Sequence, residues 1–412
     1  MHKRQVFYGL FQWLKRQRPT TERDAVPKER VCYGLFLLFL LLTVAITAGC
    51  WNWREIGTLA TVSAAAIDLE EDGTVVLTVQ VIKPGEVKAK AAEGGGGSGA
   101  KAVTLFTASG RTVFEAVRAM ARQSERKLYW PHCKLVVFGE EAARAGLAPL
   151  MDFFYRDPEP RENLWVLVAK GKAGDILAVE GQLEKIPGIS LTNLIRARTA
   201  TSQVVGVRLF EWLKKFIAEG QDPFATGIMH VPGPDGEKRL FLADTAVFQK
   251  DRLAGWLGPT ETRGLLWVLG EVKSGIIVVS IPGEETAQAS LEILRARSKL
   301  EPEIKDGVLT MTVEVEAEGN LGEQMDFADL TKKDAWAALE KRMAEVIEKE
   351  IRAALRQAQE EWGADIFGFG AAVRRKYPQE WREMKDKWEE IYPTVAVEIK
   401  AKAKLHRYGL IQ

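Results

Sequence analysis

Hydrophobic residues fall into three kinds of pattern along this chain, and each predicts a different element. The first is an unbroken run, Val31 to Gly49, 19 residues without a charge, long enough to cross a bilayer as a helix. The second is alternation with a period of two, which marks a half-buried strand. It occurs at Val75 to Ile82, where Val75, Leu77, Val79 and Val81 share a face. It returns at the end of the chain, where Val395, Val397, Ile399, Ala401, Ala403 and Leu405 alternate with charges. The third pattern repeats every three or four residues. Trp336, Leu339, Met343, Ile347, Ile351, Leu355, Ala358 and Trp362 line one face of a helix from Lys332 to Trp362. Its 31 residues would rise about 46 Å, and Gly363 is a natural stop.

Shorter signals fill the intervals. Strands are predicted at Thr58 to Asp68, Leu135 to Phe138 and Leu164 to Ala169, with a pair around Leu240 to Leu253. Further strands are predicted at Leu265 to Leu269, Gly275 to Ile281 and Val308 to Glu316. Helices are predicted at Thr112 to Arg122, Ala142 to Phe154 (broken between Gly146 and Pro149), Ala173 to Val179 and Val207 to Ile217. A last short helix carries Trp381, Met384, Trp388 and Ile391. The run Gly94 to Gly99 has almost no side chain to bury and reads as a mobile loop. It lacks the Gly-Lys-Ser/Thr ending of a phosphate-binding loop. The mixture predicts an α+β class, with three mixed α/β domains of mainly antiparallel sheets at 57–198, 199–260 and 261–412. The long helix is expected to pack on the last sheet, with a coiled coil to a partner as the alternative.

The apolar run ends in Ile46-Thr47-Ala48-Gly49-Cys50, the pattern of a bacterial lipobox. Small residues at Ala48 and Gly49 admit a peptidase to the backbone, and the Cys50 thiol is the nucleophile that thioether formation needs; Thr47 stands where Leu is usual. Residues 1–49 therefore read as a lipoprotein signal peptide cut between Gly49 and Cys50, and 50–56 as a lipidated tether. A plain signal anchor remains the alternative, since the basic flank Arg23, Lys28 and Arg30 would hold the N-terminus in the cytoplasm in either case. An amphipathic piece (Val6, Leu10, Phe11, Trp13, Leu14) precedes the run and is kept out of fold reasoning.

Removing 1–49 leaves 363 residues with 49 Lys/Arg and 53 Asp/Glu, a balance with no electrostatic footprint for nucleic acid. Cys32 goes with the leader and Cys50 is lipidated, so Cys133 is left alone and no intramolecular disulfide can form. Packed cores must hold the fold, and 46% apolar residues with 12 Trp can supply them. Reactive constellations are scarce. His132, His230 and His406 are widely separated, which argues against a zinc site and leaves no metal or cofactor assigned. His132 and Cys133 are neighbours entering a strand and point to opposite faces, so they read as a half-buried histidine and a core thiol. Glu140 and Glu141 read as helix N-terminal charge, and no Gly-x-Ser-x-Gly elbow occurs. No catalytic residue is assigned, and an enzyme is not expected.

Several blocks in order resemble one family. Gly49-Cys50-Trp51-Asn52-Trp53-Arg54-Glu55-Ile56 is similar to its start, with Asn52 where Asp is usual. Ala108 to Ala116, Arg126 to Lys134, Gly139 to Gly146 and Asp152 to Asp157 follow. Ala364-Asp365-Ile366-Phe367-Gly368-Phe369-Gly370, Tyr377-Pro378, Trp381 and Arg407-Tyr408-Gly409-Leu410-Ile411 complete the series. The chain thus resembles the Ger(x)C family, the C-subunit lipoproteins of spore germinant receptors. The resemblance implies three α+β domains and a non-enzymatic lipoprotein on the outer face of the spore inner membrane, held by lipid on Cys50. It implies assembly with two multi-pass membrane receptor subunits, in a receptor needed for nutrient-triggered germination. Nutrient recognition would fall to a membrane-embedded subunit, so no small-molecule ligand is assigned. The rival expectation is a solute-binding lipoprotein of an importer, which would need a two-lobed hinged α/β fold. A membrane-tethered hydrolase lacks any residue set.

Overall fold

A computed structural model describes residues 28–47, 55–88, 101–326, 329–330 and 332–406. The chain separates into two units, Met1–Thr58 and Leu59–Gln412. In the first, α1 (Lys28–Thr47) opens with Lys28, Glu29 and Arg30 and is then apolar on every side. Tyr33 and Leu35 through Leu42 are all exposed. Thr43 spends its hydroxyl inside the helix, donating to the carbonyls of Phe39 and Leu40 at 3.1 and 2.8 Å. Among the described residues no helix is long and apolar enough to cross a membrane. The uncharged part within them, Val31 to Thr47, rises only about 26 Å against a hydrocarbon core of about 30 Å.

The second unit contains two sheets. The first comprises β1 (Leu59–Leu69), β2 (Val75–Ile82), β3 (Val103–Gly110), β4 (Lys127–Tyr129), β5 (Leu135–Phe138), β6 (Trp165–Ala169), β7 (Phe224–Pro232), β8 (Lys238–Gln249) and β9 (Arg252–Leu257). They run in the order β3-β2-β1-β5-β6-β7-β8-β9, with β4 also paired to β1. The centre β1-β5-β6-β7 is parallel and both margins are antiparallel. Parallel strands need cover on both faces, and the sequence provides it. Leu135, Val137 and Leu167 face α6 (Ala173–Ala178) and α7 (Pro187–Ala197). Their neighbours Val136, Phe138, Val166 and Val168 join the opposite core with Met151, Phe154 and Trp212. Those last come from α5 (Ala148–Arg156) and α8 (Leu209–Ile217). Continuous apolar runs of four and five residues are the sequence mark of such strands.

A short helix α2 (Pro84–Lys88) follows β2, and between β3 and β4, α3 (Val113–Met120) starts where predicted. Thr112 Oγ1 accepts from the Glu115 amide at 3.1 Å, and the Glu115 carboxylate accepts from the Arg111 amide at 2.8 Å, an exchange akin to a capping box. The predicted break in 142–154 separates α4 (Glu140–Ala145) from α5, at Gly146 with φ +124°. The stretch 199–260, read from its sequence as a smaller unit, supplies α8 and donates β7, β8 and β9 to the first sheet. Thr226 registers with Leu167 across the β6 edge, which satisfies a row of backbone groups that would otherwise be left open.

The second sheet runs β10 (Gly275–Ile281), β11 (Glu284–Lys305), β12 (Val308–Gln324), β13 (Ala396–Leu405). Its strands are antiparallel except for the β12–β13 pair. Leu265 to Leu269, predicted as a strand, is instead the end of α9 (Pro259–Leu269), closed by Gly270 at φ +68°. Thr262 through Val268 are all buried, so this helix has no polar face and its sequence shows no helical period. The long helix α10 (Lys333–Leu355) packs against this sheet as predicted, and also against α9, burying Leu339, Met343, Ile347, Ile351 and Leu355. Residues Arg356–Glu361 continue it as a wider π-type turn before Gly363 at φ +60°. Three short helices, α11 (Phe369–Lys376), α12 (Pro378–Met384) and α13 (Trp388–Ile391), then lead into β13.

Candidate functional site

Gly49 and Cys50 lie outside the described residues, as do Gly94 to Gly99 and the terminal Arg407 to Ile411. The other sequence-predicted positions can be placed. Trp130, Pro131 and His132 form a short 3₁₀ turn, and that turn carries His132 outward into solvent, so it is exposed rather than half-buried. Cys133 is buried, its Sγ 3.4 Å from the Leu135 carbonyl, and burial pushes its thiol pKa up to about 12. A thiol so far from ionising is a poor nucleophile. Glu140 and Glu141 occupy the first turn of α4, and Glu140 pairs with Arg144 at 2.6 Å. Among the described residues no group of three or more His, Cys, Asp or Glu side chains could hold a metal.

The segment Ala364 to Gly370 builds something more specific. Asp365 is buried, and its Oδ1 accepts from the Gly368 and Phe369 amides at 2.8 and 2.9 Å. Its Oδ2 accepts from the Gly370 amide at 2.8 Å and from the Trp388 indole at 3.1 Å. The carboxylate therefore takes up amides that the start of α11 cannot satisfy internally. Burial pushes its pKa up to about 7, and Asp222 nearby acts in the same direction, against the pull of the donors. Asp222 itself is raised by burial. It accepts from the Asp365 amide at 2.8 Å and the Lys250 amide at 2.7 Å, while its own amide donates to the Asp365 carbonyl at 2.8 Å.

Backbone geometry tightens the same junction. Gly220, at φ +72°, lies so close to α11 that a Cβ there would come within 2.7 Å of the Gly370 Cα and 2.5 Å of the Trp381 ring. Trp381 and Trp388 pack edge to face at 5.2 Å, and Phe369 meets Tyr392 at 5.8 Å. The loop entering β7 of the first sheet is thereby keyed to the segment that returns the chain to the second. A carboxylate saturated by four donors positions backbone rather than attacking a substrate. Asp365 was legible within a recognisable block, whereas Asp222 stands 143 residues away in a stretch with no local signal.

A second buried polar group has no signal in the sequence. Arg263 on α9 pairs with Glu350 on α10 through both arms of its guanidinium. The Trp267 indole donates to Glu350 at 2.8 Å, and Arg263 also donates to the Ile276 carbonyl at 2.9 Å. Glu350 sits within a periodic helix, where its charge reads as a surface residue, and Arg263 lies in a helix whose sequence has no period to place it.

The fold and this junction define a two-sheet α+β protein organised around a buried carboxylate lock. Comparison with known proteins then identifies its family. A family model described as a spore germination protein N-terminal domain matches residues 52–229, and one described as spore germination B3/GerAC like, C-terminal, matches residues 243–409. Spore germination protein KC of Bacillus subtilis (strain 168) is 30% identical over 395 residues, covering 91% of this chain and 96% of that one. Spore germination protein B3 of the same strain is 23% identical, covering 91% and 97%. The crystal structure of the GerBC protein superposes with a TM-score of 0.54 at 19% identity, over 83% of this chain and 96% of that one, which establishes the shared fold. The chain belongs to the GerAC family of spore germination proteins. That family is not known as enzymatic.

Proposed function

We propose that this chain is the lipid-anchored C subunit of a nutrient germinant receptor, seated on the outer face of the spore inner membrane. In this reading Cys50 is diacylated after cleavage at Gly49, and the folded unit acts as a scaffold for two multi-pass subunits. The observation that carries the reading is family membership over most of the chain: the two family models together span 52–409 with only a short gap. Relatives named spore germination protein B3 and spore germination protein A3 match over 91% and 86% of this chain. The lipobox-like junction ahead of Cys50 supports anchoring. Confinement to the membrane plane raises the effective concentration for weak contacts with the membrane subunits. One acyl chain gives only reversible binding, whereas two give a stable anchor.

The test is a pull-down of a C-terminally tagged copy from spore inner membranes, with partners identified by mass spectrometry. Two multi-pass proteins are expected to co-purify. Recovery of a permease with its ATPase would replace this reading with that of an importer's solute-binding lipoprotein.

A further inference from the structure

A cleft of about 880 Å³ opens in the Leu59–Gln412 unit between α8, the segment 198–207, the turn after α9 and the outer side of α11. Its walls carry Arg198, Lys214, Lys215, Lys273, Arg374 and Arg375 against three carboxylates, Glu211, Glu219 and Glu271. Two of those carboxylates are already engaged. Glu211 accepts from the Arg208 amide at 2.7 Å within the start of α8. Glu219 accepts from the Trp381 indole at 3.1 Å and lies 3.8 Å from Arg374. Six cations against three carboxylates leave the cleft with an excess of positive charge.

Lys215 is the telling residue. It is half-buried, with its ammonium 4.7 Å from the centre of the Phe224 ring. Among the described residues no carboxylate comes within ion-pair distance of it. Burial pushes its pKa down, and Glu271 and Glu211 oppose that from longer range. A cation withdrawn from water without a counter-ion is costly, and an anion entering the cleft would relieve that cost. Beside the charges stand apolar walls, including Phe210, which is 44% exposed, and the flank of Leu266. This pairing of an unneutralised ammonium with apolar surface suits an anion that has an organic body better than a bare inorganic ion.

We propose that this cleft is a binding site for a small organic carboxylate, with the carboxylate on Lys215 and the apolar body along Phe210 and Leu266. The site is independent of membrane assembly and stands or falls apart from the receptor reading.

The test uses the full chain in mild detergent, titrated by calorimetry with benzoate, its neutral isostere benzamide, and inorganic phosphate. Benzoate is expected to bind saturably and about tenfold or more tighter than benzamide, the worth of one charged hydrogen bond. Phosphate should compete poorly. Lys215→Met, which removes a desolvated charge at nearly constant length, should fold and lose the preference for benzoate. Lys341→Met, on the exposed side of α10, should keep it. If Lys215→Met does not fold, Lys215→Gln is the second variant with the same expectation. Absence of saturable benzoate binding, equal affinity for benzamide, full competition by phosphate, or a preference retained without Lys215 would each overturn the proposal.

Discussion

Replacing Asp365 by alanine would leave the amides of Gly368, Phe369 and Gly370 and the Trp388 indole without their acceptor. A buried donor left unpaired costs about 1–3 kcal/mol. Asp365→Ala is therefore expected to lose at least about 3 kcal/mol in urea unfolding, as a lower midpoint at an unchanged slope. A loss below about 1 kcal/mol would mean that water reaches these donors. The same side chain titrates. Its folded pKa of about 7 lies above the ordinary 3.8, so between those values the folded protein holds a proton that the unfolded chain releases. Its favourable contribution is complete below the unfolded value and is lost as pH rises through about 7. Melting temperature should accordingly fall between pH 5 and pH 8, and Asp365→Asn should flatten that dependence whatever it does to stability overall. An unchanged slope would assign the titration elsewhere, first to Asp222. At this scale the sequence is a partial guide. Asp365 stands between glycines and aromatics that draw the eye, but nothing in Gln221-Asp222-Pro223 announces a buried carboxylate, because its partners come from distant segments.

Among elements, legibility followed the side chains' periodicity. α10 and β13 each have a more buried face and an exposed one, and β2 sets Thr78 and Gln80, both buried, between its apolar residues, so alternation or a three-and-four repeat survives in the sequence. α9 is dry all round, so Leu265 to Leu269 carries the continuous apolar pattern of a buried strand. β11, a strand of 22 residues, escaped notice because its outward positions carry charge. There Arg295, Arg297 and Lys299 register with Glu318, Glu316 and Glu314 on β12, which in turn register with Lys404, Lys402 and Lys400 on β13. A row of acids between two rows of bases makes a polar-looking sequence into a specific register, since a one-residue slip would turn those charges into the core. Arg263 and Glu350 do the corresponding work between α9 and α10. Glu350→Leu alone leaves a buried guanidinium and should cost about 3–5 kcal/mol, whereas Arg263→Met with Glu350→Leu should recover much of that loss. A double-mutant cycle in guanidinium chloride measures the coupling. Strict additivity would show that water already solvates the pair.

For the whole molecule the decisive separation is between the packed unit and the segment that precedes it. Among the described residues the buried clusters begin at Ala60 and draw their members from the Leu59–Gln412 unit. Among the described residues, Tyr33 and Leu35 through Leu42 of α1 are exposed apolar side chains outside those clusters. Changing Cys50 should therefore leave the fold alone and alter only where the protein resides. Without the thiol no diacylglyceryl group can be attached, and a peptidase that acts on the lipidated form would lose its substrate. Cys50→Ala is expected to retain residues 1–49, so that intact-mass spectrometry of the membrane fraction gives the full-length mass in place of a lipidated chain beginning at Cys50. Its melting temperature should match that of the parent, while nutrient-triggered germination should be impaired. The precursor would lack the two-chain anchor that keeps a lipoprotein at the surface. Processing before residue 50 in the variant would sink the lipobox assignment. Normal germination with a retained leader would sink something different, namely the idea that the lipid itself is needed for receptor assembly.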